Sequence, residues 1–195
     1  MHVLLGADPT AVTRGSDGVV HIALADGGTV DADEVLVATG RRPRTADLGL
    51  DRVGLTAGSW LTVDDSLRVL DAGGSPLEWL YAAGDVNRRA LLTHSGKYQA
   101  RAVGDAIAAR ATGRPVDLAP WGRHAVTADE RAVPQVVFTE PEIASVGLTA
   151  AAAQAAGLSV RVVDHDLGAV AGAAVHADGY RGQACLLYTS DAADE

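Results

Sequence analysis

Leu80-Tyr81-Ala82-Ala83-Gly84-Asp85 runs within a few residues into Ala90-Leu91-Leu92-Thr93-His94-Ser95-Gly96. This juxtaposition constrains the fold more than any other stretch of the chain. An apolar strand stops at Ala-Gly-Asp, a tight loop follows, and an Ala-rich helix begins around Thr93 or Ser95. One carboxylate is thereby placed at the carboxyl end of a strand, with a helix N-terminus aimed at the same crevice. Open α/β sheets bind cofactors at such places. Glycine lets the backbone come close to a ligand. The Asp can accept hydrogen bonds from sugar-like hydroxyls, and the helix start offers unpaired N–H groups at the positive end of its dipole. Taken alone, the pattern describes a cofactor crevice and an ordinary strand–loop–helix junction equally well.

Composition narrows the classes. With 48% hydrophobic and 21% charged residues, the chain can build a packed core and is no candidate for wholesale disorder. A net charge of −9 leaves no basic stripe to neutralise phosphates, which argues against nucleic-acid binding. No segment approaches the roughly 18 uninterrupted apolar residues of a membrane helix. The first residues lack the basic and apolar regions of a signal peptide, so a cytoplasmic location is the default. The six histidines show no metal-ligand spacing.

Residues 2–40 read as β-structure. Val19–Leu24 has high strand propensity, and Asp26-Gly27-Gly28 supplies a tight hairpin turn back into Thr29–Asp33. Val35-Leu36-Val37-Ala38 is a short continuous apolar run, the pattern of a strand buried on both faces. It ends in Thr39-Gly40-Arg41-Arg42-Pro43-Arg44, where Gly40 breaks the strand and Pro43 prevents its resumption. Residues 46–60 read as irregular or weakly helical, and Leu61–Val63 and Leu67–Val69 as short strands leading to the Trp79–Ala82 strand.

Tyr98, Ala102, Val103, Ala106 and Ile107 recur at helical spacing, and Gly113 and Pro115 stop that helix. Residues 114–133 read as a linker. Beyond it, Pro134–Phe138 and Ile143–Gly147 are strand candidates, and Thr149 caps a helix over Ala150–Ala156 that Gly157 ends. Ser159–Val163 alternates like a half-buried strand.

Three stretches then carry a resemblance. Val35–Thr45 (VLVATGRRPRT), Tyr81–Arg101 (YAAGDVNRRALLTHSGKYQAR) and the VVFTEPEIASVGLT run ending at Thr149 resemble successive signatures of the FAD-dependent pyridine nucleotide–disulfide oxidoreductases. That family includes dihydrolipoamide dehydrogenase, glutathione reductase and mercuric reductase. The likeness extends over nearly all of residues 1–184, in the family's order. It implies an α/β architecture: part of a fold with two dinucleotide-binding domains, for FAD and NAD(P), followed by the start of an α+β dimerisation domain. On this basis residues 1–45 form the C-terminal end of the NAD(P)-binding domain and 46–116 the second segment of the FAD-binding domain. Residues 117–133 are a linker, and 134–184 open the dimerisation domain. The remaining tail, Cys185-Leu-Leu-Tyr-Thr-Ser-Asp-Ala-Ala-Asp-Glu195, resembles the translation of a sequencing adapter and is expected to be non-native.

The resemblance also assigns residues. Asp85, after Gly84, would bind a ribityl hydroxyl of FAD, and the backbone N–H groups around Leu92 and Thr93 would face the flavin pyrimidine edge. Gly40 would mark the approach of the backbone to NAD or NADP, with Arg41 beside it. The implied partners are a disulfide-type substrate and a second copy of the chain in a homodimer. The family's Cys-x-x-x-x-Cys, its two Gly-rich turns and its distal His–Glu pair have no counterpart in these residues, so no catalytic or metal-binding residue is expected here. His94 and the Thr139-Glu140-Pro141-Glu142 acids read as structural. A flavin-dependent NAD(P)H oxidase, or a quinone or metal-ion reductase on the same scaffold, is the alternative activity. A non-catalytic dimerisation module is the alternative of a different kind.

Overall fold

The turn chemistry at Asp26 begins the first sheet. Asp26 Oδ1 accepts from the Gly28 N–H at 2.8 Å, and Gly27 takes the positive φ of 87° that a tight turn requires. The computed structural model describes residues 2–189, which divide into two units, one ending at Arg42 and the other beginning at Pro43. The first is a meander of β1 (Pro9–Arg14), β2 (Val20–Leu24) and β3 (Thr29–Ala32), paired antiparallel in that order. Val12 faces Ile22, and Ile22 faces Val30, across the ladders.

Val35–Ala38 departs from expectation. It forms no strand, and Leu36 is 92% exposed. A buried strand must satisfy its backbone groups against a neighbour, and no strand among the described residues pairs with this run. Hydrophobicity alone therefore leaves it as irregular, exposed chain.

In the second unit, β4 (Arg68–Leu70) and β5 (Pro76–Tyr81) form an antiparallel hairpin. The expected Leu61–Val63 strand reduces to a single bridge between Val63 and Val69. Asp64 organises the turn before β4: its Oδ1 accepts from the Ser66 N–H, the Ser66 hydroxyl and the Arg68 N–H, at 2.8–2.9 Å. Leu50, Leu61, Val69 and Ala82 make one buried cluster beneath this hairpin. Leu67, Ala102 and Val126 make a second.

The long helix α1 (Thr93–Ala111) starts and stops where expected, with Gly113 beyond it at φ 68°. Its buried stripe is Ser95, Gln99, Ala102, Ala106 and Ala109, rotated from the one expected, so Ile107 lies 43% exposed. Small side chains on that stripe let the helix approach its neighbours closely. Within residues 117–133, expected as a linker, residues 117–121 are exposed and a run over 124–129 is buried or half-buried. Val126 is fully buried against α1, His124 and Ala125 are buried beside it, and a one-turn helix α2 (Ala128–Arg131) follows.

Beyond it, β6 (Gln135–Val137) and β7 (Ile143–Ser145) form a hairpin, with Thr139–Glu142 exposed at its tip. Thr149 caps α3 (Ala150–Ala155), its side chain accepting from the Ala152 N–H at 3.2 Å. Strand β8 (Val160–Asp166) pairs with β9 (Gln183–Thr189), and α4 (Ala171–His176) lies between them in sequence. Cys185–Thr189 of the supposed tail thus lie in a strand, while residues 190–195 fall outside the described residues. Among the described residues no helix is long and apolar enough to cross a membrane.

Candidate functional site

Strand β5 ends at Tyr81, and the chain turns at once. Ala82 is buried, and its N–H donates to the Leu67 carbonyl at 3.0 Å. Gly84 then sits at φ 85°, ψ −160°, a backbone region open essentially to glycine alone. Asp85–Asn87 form one 3-10 turn, closed by the Asn87 N–H on the Gly84 carbonyl at 3.2 Å. Asp85 points outward and is exposed, whereas Asn87 is buried. The turn is tied down on both sides. The Leu61 N–H donates to the Val86 carbonyl at 3.1 Å, and the Arg88 guanidinium lies over the Trp60 ring at 5.7 Å.

Leu92, in an extended conformation, is the N-cap of α1 and offers no side-chain cap. Thr93 is the first helical residue and is exposed. The first amide groups of this 19-residue helix therefore receive no hydrogen bond from the N-cap side chain, and they carry the positive end of the dipole. A cavity of about 480 Å³ opens beside this junction, lined by Arg89, Leu91, Leu92, Asp129, Arg131 and Gly147 among others. Gly40 and Arg41 belong to the unit that ends at Arg42. Both are exposed there, and Gly40 holds a φ of 114° with no atom within 4 Å of the place a Cβ would take.

The turn is held by residues the sequence reading did not single out. Gln99 is fully buried, and its Oε1 accepts from the Gly84 N–H at 2.6 Å and from Asn87 Nδ2 at 2.8 Å. Asn87 Nδ2 also donates to the Ala82 carbonyl at 3.0 Å. Gln99 Nε2 donates to Asp129 Oδ2 at 2.7 Å. Arg89 reaches Asp65 at 3.0 Å and Glu130 at 3.2 Å, and its Nε lies 3.6 Å from Asp129 Oδ2. Burial pushes the Asp129 carboxyl above its ordinary range, against the opposing Gln99 hydrogen bond and Arg89 charge. One signal of this network was present in the sequence: a glutamine on a stripe of otherwise small residues is a polar group that must find partners inside.

His94 donates from Nε2 to the Pro134 carbonyl at 2.8 Å. It thus joins the start of α1 to the approach to β6. Thr139, Glu140 and Glu142 stay at the β6–β7 tip, where the Thr139 hydroxyl donates to the Pro141 carbonyl at 2.8 Å.

Residues 1–113 match the family described as pyridine nucleotide-disulphide oxidoreductase, and residues 133–191 match the dimerisation domain of the same family. A dihydrolipoyl dehydrogenase of Bacillus subtilis is 37% identical over 134 residues, covering 68% of this chain and 24% of that protein. A mycothione reductase of Mycobacterium tuberculosis is 35% identical over 160 residues, covering 81% of this chain and 31% of that protein. The chain therefore spans about a quarter to a third of the length of these curated relatives. Among solved structures, LpdA from Mycobacterium tuberculosis superposes with a TM-score of 0.68 at 28% identity, covering 96% of this chain and 40% of that one. The HOCl-induced flavoprotein disulfide reductase RclA from Escherichia coli gives 0.70 at 22% identity, over 96% of this chain and 39% of that one. The second likeness is one of fold alone.

Proposed function

The chain belongs to the pyridine nucleotide–disulphide oxidoreductase family, and on that premise we propose that it is part of a homodimeric FAD-dependent enzyme that reduces a disulfide with NAD(P)H. The observation that carries this reading is the Gly84–Asp85 turn set before the uncapped N-terminus of α1. The relatives' names, dihydrolipoyl dehydrogenase and mycothione reductase, support a disulfide-type substrate. A cytoplasmic location, the default from the sequence, goes with this reading.

The residues present fit a flavin nucleotide. Asp85 presents an exposed carboxylate at the end of β5, suited to accept from the ribityl hydroxyls. Gly84 has no atom within 4 Å of its absent Cβ, so the backbone there lies open to a close approach. The amides around Leu92 and Thr93 would hold the pyrimidine edge, where the helix N-terminus, equivalent to about half a positive charge, stabilises developing negative charge. Bound FAD supplies two-electron transfer between a reduced nicotinamide nucleotide and a disulfide. Gly40 and Arg41, exposed in their own unit, would lie along the nicotinamide nucleotide.

Homodimer formation is supported by the match of residues 133–191 to a dimerisation domain. It is further supported by the exposed apolar side chains of Val136, Val137, Phe138 and Ile143 on and beside β6–β7, since soluble chains rarely leave such patches uncovered. In the full-length protein, Asp85→Ala is expected to weaken FAD binding by about ten- to a hundredfold, the loss of one or two charge-assisted hydrogen bonds. Titration of flavin fluorescence reads this directly. Unchanged affinity in Asp85→Ala, or a full-length wild-type protein that binds no flavin, would overturn the reading.

A further inference from the structure

We propose that Gln99 is the positioning residue of the Gly84–Asp85 turn, and that Asp129 acts through it by fixing the direction of the Gln99 amide. The inference rests on the reading of this turn as flavin-binding and adds to it two residues that touch no ligand.

The argument starts from the asymmetry of a primary amide. Gln99 Oε1 receives two donors, the Gly84 N–H at 2.6 Å and Asn87 Nδ2 at 2.8 Å. Its Nε2 faces a carboxylate oxygen of Asp129 at 2.7 Å. Reversing the amide would set three N–H-bearing groups against one another and one oxygen against another. Asp129 therefore selects one orientation of the two. That orientation is the one that supplies an acceptor to Gly84, whose glycine-only backbone points its N–H inward and leaves Asp85 outward. Gln99 is fully buried and Asp129 nearly so, so water cannot substitute for either partner. The charged groups around the pair are Arg89, 3.6 Å from Asp129 Oδ2, Glu130, and Asp65, which shares Arg89. The chain segment carrying Asp129, far from the turn in sequence, thus sets the posture of the turn.

The test reverses the polarity of the contact. Gln99→Glu keeps an acceptor for Gly84 but sets a second carboxylate against Asp129. Two carboxylates at that separation share a proton, which is held more tightly than by either alone, and they repel once it leaves. Adding Asp129→Asn restores a donor facing an acceptor, with the direction inverted. Two readouts are taken across pH 6 to 8 on the full-length protein: FAD affinity by fluorescence, and the Gly84 amide resonance in the flavin-free protein. In Gln99→Glu, FAD affinity is expected to fall about tenfold as pH rises, and the Gly84 amide to shift over the same range. In the double variant both are expected to return to wild-type values at the upper pH. A Gly84 amide that ignores pH in Gln99→Glu, or a double variant that restores neither readout, overturns the inference. A wild-type protein without FAD affinity would instead sink the flavin reading, and the Gly84 resonance would still decide the role of Gln99.

Discussion

Gly96, in the first turn of α1, lies so close to Gly84 that a Cβ built on it would come within 3.4 Å of the Gly84 Cα. Two glycines, one in the helix and one in the turn, thereby bring the start of α1 against the end of β5. The closeness lets Gln99, on the same helix, accept from the Gly84 N–H at 2.6 Å. A residue larger than alanine at Gly96 would separate the carboxylate of Asp85 from the helix N-terminus that is proposed to share its ligand.

Substitution at Gly96 should divide by size. Gly96→Ala places its methyl at ordinary contact distance and gains about 0.8–1.0 kcal/mol of helix propensity, so its stability should equal or exceed wild type. Gly96→Val must push the turn away and should lose about 1–3 kcal/mol by overpacking. Urea midpoints of the two variants check this, and a Val variant as stable as the Ala one would show that the contact is slack.

Gly84 asks a different question, because nothing lies within 4 Å of its missing Cβ. Any cost of Gly84→Ala comes from the backbone conformation alone, on the order of 1–3 kcal/mol for a region essentially restricted to glycine. Chemical denaturation should register that loss. If the variant instead keeps wild-type stability, the turn has an alternative conformation of equal energy.

Local chemistry was legible in the sequence, and tertiary pairing was not. The Asp26 turn, the start of α1, its end before Gly113 and the Thr149 cap each depend on residues within a few positions of one another. Val35–Ala38 misled because strand formation depends on a neighbour, and an apolar run carries no record of whether one is present. Gln99 and Asp129 stand thirty positions apart, and nothing local to either names the other as its partner. Only the packing of Val126 and Asp129 against α1 brings them together, in a stretch whose Pro120, Trp121 and mixed charge read as a linker.

In the β1–β3 meander, His21 Nδ1 lies 2.7 Å from Asp31 Oδ1 across the β2–β3 ladder. The Asp31 hydrogen bond raises the His21 pKa above 6.5, opposed by desolvation and helped by the charges of Asp31 and Asp17. A raised folded pKa means that the contribution is fully present below 6.5 and disappears as pH climbs through the folded value. Asp31→Asn should therefore move the His21 titration, followed by ring-proton resonances, to lower pH. A titration that does not move would show that Asp31 has no hold on the imidazole.

Asp64 and Asp129 should respond to acid in opposite directions. Burial raises the Asp64 pKa, but hydrogen bonds from the Ser66 hydroxyl, the Arg68 N–H and the Arg68 guanidinium outweigh it, and the net value lies below 3.8. Its folded pKa is depressed, so its stabilisation is complete above 3.8 and is lost as pH falls through the folded value. At Asp129 burial prevails over the Gln99 hydrogen bond and the Arg89 charge, and the net value lies above 3.8. Its contribution is therefore most favourable below 3.8 and declines as pH rises through the folded value. Relative to wild type, Asp64→Asn should look progressively worse as pH rises towards 3.8 and then level off, whereas Asp129→Asn should look progressively better as pH rises above 3.8. Each variant also carries a pH-independent offset from its altered hydrogen bonds, so the slopes are compared rather than the absolute values. Urea denaturation on either side of pH 3.8 gives both difference curves. Curves that run in the same direction would mean that the burial of Asp129 against Gln99 does not outweigh the charge of Arg89.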